Sequence, residues 1–141
     1  MKMFKKILTG IDGSENAYKS LSEAIELSKR YEAELHTITV EEVPQYPGTI
    51  GEIIEEKEAS NGKFAEVLKR TKEMAAERSA TVKSHVIMGH EVKTIVEFIK
   101  ARNFDLLVIG FMGRSALYER IMGSTCQSLV RLAPCSVLVV K

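Results

Sequence analysis

Along the chain, short apolar runs rich in β-branched residues alternate with longer segments whose apolar positions recur every three or four residues. The first run, FKKILTGI (4–11), reads as a strand. Ser14 then stands where a helix cap is needed, and Ala17, Leu21, Ala24, Ile25 and Ser28 fall on one helical face. ELHTITVEE (34–42) is a second strand, and VPQYPGTIG, with two prolines and two glycines, is a loop. From about Glu52 to Ser79 the spacing predicts a helix with Phe64, Val67, Leu68, Thr71, Met74 and Ala75 along its stripe and Gly62 as a point of interruption. Its run EIIEEKE reads as a solvated charged face. TVKSHVIMG (81–89) is a third strand, followed by a helix over 90–103 whose buried face is Val92, Ile95, Val96 and Ile99. DLLVIG (105–110) is a fourth strand, apolar enough in its middle to be central. Ser124–Leu132 is a last helix with Cys126, Leu129, Val130 and Ala133 inward, and CSVLVVK (135–141) closes as a fifth strand.

Strands alternating with helices predict parallel pairing, with both faces of the sheet covered. Right-handed crossovers reduce the topologies to a few, and an α/β doubly wound five-stranded parallel sheet of order 3-2-1-4-5 fits best, as one domain over 1–141. In that order the first and fourth strands are neighbours whose outgoing connections diverge to opposite faces. A crevice opens at their carboxyl ends. Both IDGS (11–14) and the glycine-rich stretch GFMGRSALYERIMGS (110–124) begin there.

Composition narrows the functions available. Twenty Lys and Arg against 19 Asp and Glu leave a net charge of +1 with no like-charge block, which disfavours a nucleic-acid surface or an anionic-membrane surface. No run of apolar residues is long enough for a membrane span. Cys126 and Cys135 lack metal-ligand spacing and read as small buried thiols, in keeping with a reduced, cytoplasmic setting. His36, His85 and His90 are scattered over two strands and a helix start and read as structural or surface residues. No metal site is expected.

Bare backbone at a strand end lets main-chain N–H groups face an anion, and a following helix adds the positive end of its dipole. The spacing here, Gly110-x2-Gly113-x9-Gly123-Ser124, is neither the dinucleotide fingerprint GxGxxG nor the P-loop GxxxxGK[ST]. STCQ (124–127) also fits a capping box, with Ser124 as the N-cap, and Asp12 is placed where a carboxylate often caps the helix that follows.

This glycine pattern, an APCSVLVV-type terminal strand and KKILTGIDGSE at the start together resemble the universal stress protein family across essentially the whole chain, apart from about Val43–Asn61. The resemblance implies a Rossmann-like domain that dimerises through its last strand and, where the glycine motif is present, binds ATP. A divalent ion, Mg or Mn, is expected with it, because the loop supplies little cationic charge beyond Arg114 and Arg120 to balance a triphosphate. Carried over position by position, Gly110 and Gly113 admit the phosphates, while Gly123 and Ser124 hold the distal ones. Asp12 contacts the adenine or ribose region, the backbone of Val40 bonds adenine, Ile11 and Ile109 wall the base and sugar, and Thr125 and Arg114 are secondary contacts. Phe111 and Met112 stand where relatives often carry small or polar residues, and they either cover or crowd a ligand. The expected function is non-catalytic, regulatory nucleotide binding by a homodimer. The alternatives are a slow ATPase or nucleotide-transfer enzyme, and a dimerisation module that binds no nucleotide.

Overall fold

A computed structural model describes residues 3–42, 62, 64–112 and 122–141. Its elements are β1 (Lys6–Gly10), α1 (Glu15–Tyr31), β2 (Glu34–Glu42), α2 (Ala65–Glu77), β3 (Lys83–Gly89), α3 (Glu91–Arg102), β4 (Leu106–Gly110), α4 (Ser124–Leu132) and β5 (Ser136–Val140). All strand pairs are parallel and their order is β3-β2-β1-β4-β5, as the alternation of patterns predicts.

Alternation along the strands divides the core into two layers, because successive side chains point to opposite faces. Ile7 of β1, Leu35 of β2 and Leu106 and Val108 of β4 pack against Leu21, Ala24 and Ile25 of α1 and Val67 and Ala75 of α2. On the other face Leu8, Ile38, Ile87, Leu107 and Ile109 meet Ile95, Phe98 and Ile99 of α3 and Cys126 and Leu129 of α4. Each fully buried Ile or Leu side chain stabilises the fold by roughly 1.5–3 kcal/mol. The inner face expected for α1 is buried at all five positions. Its start is set by Ser14, whose Oγ accepts the Ala17 N–H at 3.1 Å.

Several expectations need correction. Val130 of α4 is 46 % exposed, so the inward face of that helix is narrower than its periodicity suggests. Ser124 is the first helical residue and not the cap, a position taken by Gly123. Gln127 completes no capping box, and its side-chain N–H donates to the Met122 carbonyl at 3.2 Å. In α3, Val92 and Val96 are only half-buried, whereas Phe98 is buried. The stretch of the predicted second helix from Glu52 to Asn61, with EIIEEKE, lies outside the described residues.

The central pair β1–β4 is tied at its amino ends and again partway along. At the amino ends the Asp105 carboxylate accepts the Lys5 N–H at 2.8 Å and the Lys6 N–H at 3.1 Å, while the Asp105 N–H donates to the Lys6 carbonyl at 3.0 Å. Further along, the buried Thr9 hydroxyl donates to the Val108 carbonyl at 2.8 Å. A threonine is thereby accommodated in an apolar strand, because its polar atom has a partner.

His36 of β2 and His85 of β3 form a side-by-side pair, their rings parallel to within 5° and His36 Nδ1 2.9 Å from His85 Nε2. The edge of Phe104 meets His36 and Phe98 packs on His85. His36 Nε2 lies 3.4 Å from a Glu34 carboxylate oxygen. The network therefore assigns the His36 proton to Nε2 and leaves Nδ1 to accept from His85. Burial lowers both imidazoles below their ordinary value; His85 falls to about 4, helped by His36, Arg102, Lys83 and Lys6.

A depressed imidazole binds its proton more weakly in the folded chain, so it contributes stability that is present above about pH 6.5 and lost as the pH falls toward about 4. The expected loss between pH 7 and pH 5 is on the order of 2 kcal/mol. Urea unfolding of the protein and of His85→Gln at the two pH values checks this, and the same slope in both would refute it.

Candidate functional site

β1 and β4 lie side by side, and the chain leaves β1 into α1 on one face and β4 toward α4 on the other. The carboxyl ends of the two strands consequently frame a hollow of about 40 Å³ whose walls include Gly10, Asp12, Glu91, Ile109, Gly110 and Met112. Such a volume holds about one to three water molecules, so a larger ligand has to lie across its mouth.

Local turn chemistry orients Asp12. Its Oδ1 accepts the Ser14 N–H at 2.9 Å, and Gly13, at φ 86°, supplies the left-handed residue that brings the amide round. The turn delivers Ser14 to its capping position and leaves the Asp12 carboxyl at the hollow.

The root of the glycine loop is built differently from the expectation. A Cβ on Gly110 would lie 2.9 Å from Asn16 Cγ and 3.2 Å from the Asn16 carbonyl oxygen, so the glycine makes room for α1. The Phe111 N–H donates to the Val140 carbonyl at 2.8 Å, and the Met112 N–H donates to Asn16 Oδ1 at 2.8 Å. The Gly123 N–H donates to the Phe111 carbonyl at 2.9 Å, which brings the returning chain back beside the point of exit. All three amides are thus engaged within the protein. By their position at a helix start, the amides of Ser124, Thr125 and Cys126 have no intrahelical acceptor and stand at the positive end of the helix dipole.

Asp12, Ile109 and Gly110 line the hollow together. Ser124 is exposed and Thr125 half-buried at the start of α4, and Val40 is half-buried on β2 beside Ile87 of β3. Ile11 is 2 % exposed, its side chain in the core layer under α1, so its backbone is what it can offer a ligand. Gly113 and Arg114 lie outside the described residues. Of the two apolar residues after Gly110, Met112 lines the hollow, whereas the Phe111 ring has Lys141 Nζ 5.4 Å from its centre.

Two residues of this region escaped sequence reasoning. Asn16 carries no motif. Glu91 looks like an ordinary acidic residue in the first turn of α3, yet it lies in the hollow near Asp12. Its N–H donates to the Glu42 carboxylate at 2.8 Å. Burial, then the neighbouring Asp12 and Glu42 carboxylates, push Glu91 up to about 7. Near neutrality it therefore holds a proton about half the time.

A doubly wound α/β domain with a crevice and a helix start at its switch point is the class of protein that these features define. The profile described as the universal stress protein family matches residues 3–141, and the chain belongs to that family. A universal stress protein of Methanocaldococcus jannaschii is 32 % identical over 143 residues, covering 99 % of this chain and 83 % of the relative. Among solved structures, a universal stress protein in complex with cAMP superposes with a TM-score of 0.73 at 22 % identity, covering 98 % of this chain and 97 % of that one. The universal stress protein from Archaeoglobus fulgidus in complex with dAMP gives 0.68 at 17 % identity, with full coverage of both chains. These structural likenesses establish the shared fold.

Because the Glu91 proton is held more tightly in the folded chain than in the unfolded one, stability associated with it is present at low pH and lost as the pH rises from about 4.5 through about 7. Glu91→Gln removes that loss. Its unfolding free energy is expected to exceed that of the parent by on the order of 2 kcal/mol at pH 8, seen as a higher melting temperature, and only slightly at pH 5. A gain of equal size at both pH values in thermal denaturation would contradict the assignment.

Proposed function

We propose that this chain binds an adenine nucleotide, ATP accompanied by Mg or Mn, across the mouth of the β1–β4 crevice, and that it acts as a non-catalytic regulatory protein. The observation that carries the reading is the convergence of Asp12, the bare backbone of Gly110 and the start of α4 at the carboxyl ends of two adjacent parallel strands. Phosphates suit the α4 amides, and the Asp12 carboxyl suits either a ribose hydroxyl or a hard divalent ion. The ion would offset phosphate charge. A protonated Glu91 avoids setting a second full negative charge against an anionic ligand. That two proteins of the same fold are described in complex with cAMP and dAMP supports the adenine assignment.

Binding is favoured over turnover by the state of the nearby nucleophiles. Ser14 Oγ is engaged as a helix cap, and Cys126 is buried, with its thiol pushed up by burial. Two free cysteines suit the reduced interior of a cell. No helix among the described residues is long and apolar enough to cross a membrane.

The reading extends to a homodimer formed through β5. This strand pairs with β4 on one side only among the described residues; Leu138 is 38 % exposed on its α1 face, and α4 on the opposite face leaves Val130 and Leu132 uncovered. An apolar edge of this kind associates unless it is covered, and pairing across a two-fold axis covers it.

Two measurements test the proposal. Calorimetric titration with Mg-ATP is expected to show binding in the parent and at least about tenfold weaker binding in Ser124→Glu, whose charge suits the helix dipole but repels phosphate. Equal affinities, or no binding by the parent, would overturn the nucleotide site, and recovery of ADP instead of intact ATP after prolonged incubation would favour slow hydrolysis. Sedimentation of Leu138→Lys is expected to give a monomer where the parent gives a dimer, and a dimer of unchanged strength in the variant would remove β5 from the interface.

A further inference from the structure

Asn16 occupies the second position of α1, where the sequence offers no reason to notice it, and its carboxamide reaches two separate elements. Its Oδ1 accepts the Met112 N–H at 2.8 Å, and its Nδ2 donates to the Val140 carbonyl at 3.4 Å. The two partners are of opposite polarity, so they fix which way the amide faces. Val140 O is the same acceptor that takes the Phe111 N–H. Gly110 is bare because this side chain fills the space that its Cβ would need. Lys19, one turn along the same helix, donates from Nζ to Lys141 O at 2.6 Å.

We propose that Asn16 is a positioning residue that braces the root of the glycine loop against the end of β5, so that the ligand-facing backbone and the edge strand respond as one unit. Removing the Oδ1 half takes away the acceptor of the part-buried Met112 N–H, whereas losing the Nδ2 half leaves the Val140 carbonyl with the Phe111 N–H alone. Phe111 is the link between the two halves. Its N–H leans on Val140, its carbonyl receives Gly123, and the next amide is held by Asn16. A ligand drawn to the start of α4 acts on Gly123 and, through Phe111, on the end of β5. The role of the brace rests on the nucleotide reading only for the identity of that ligand.

Amide exchange followed by NMR on the full chain tests the brace, with Ile7 and Val108 as core references. In Asn16→Ala the Met112 amide is expected to exchange roughly tenfold faster and the Phe111 amide also faster, while the references keep their rates. Asn16→Asp retains the acceptor but replaces the donor with a charge that repels the Val140 carbonyl, so Met112 protection is expected to persist while Phe111 protection falls. In the parent, saturating Mg-ATP is expected to slow exchange at Val139 and Val140, and in Asn16→Ala this effect is expected to shrink, because the Phe111–Val140 bond that carries it has lost its brace. Acceleration at Met112 with Phe111 unmoved in both variants, uniform acceleration that includes the references, or an undiminished Mg-ATP effect at β5 in Asn16→Ala would each overturn the proposal. Should the parent take up no Mg-ATP, the nucleotide reading fails by itself and the exchange rates of the two variants still decide the role of Asn16.

Discussion

The parallel pairing of β1 with β4, buried on both faces, is the constraint on which the rest of the structure depends. Once these strands lie together, the chain has to leave them on opposite sides to cover both faces, and it cannot do so without opening a space between the departures. The apolar character of Ile7, Leu8, Leu107 and Val108 therefore does more than fill the core. It determines where polar backbone is left facing outward, and it brings residues about a hundred positions apart in the chain, Asp12 and Gly110, to one place.

What the crevice presents is narrower than a loop of bare amides. The first two amides after Gly110, and that of Gly123, close the loop on itself and on β5. At the start of α4 three successive N–H groups lie beyond the reach of intrahelical acceptors, at the positive end of the helix dipole. Charge at the site is balanced in a similar way. Burial, and then the Asp12 and Glu42 carboxylates, disfavour the ionised form of Glu91 and keep a proton on it through part of the neutral range.

Legibility in the sequence followed the range of the interaction concerned. The bounds of β2, the buried face of α1, the strand order and the two strand ends that form the crevice all rest on local periodicity and on the short connections between neighbouring elements. They were readable for that reason. The packing reason for Gly110 was not readable, because the atoms that crowd it belong to Asn16, on another element. Ser124 suits a cap chemically, but the helix starts one residue earlier, where Gly123 can bond the outgoing chain. Val130 follows the helical stripe yet stays exposed, because α4 lies near the edge of the sheet, where only the Cys126 and Leu129 face meets the core. The His36–His85 pair and the proton on Glu91 arise from strand register and burial, neither of which a linear pattern displays.

The Asp105 carboxylate has a mechanical consequence for the sheet. It grips two successive amides leading into β1 from the foot of β4, and the adjacent backbone bond between Asp105 and Lys6 doubles the hold. Strands fastened in this way at the base can splay only at their tips, in the manner of tongs with a fixed fulcrum. Any wedge entering between the tips spends its leverage on the outer segments and leaves the foot of the sheet in register.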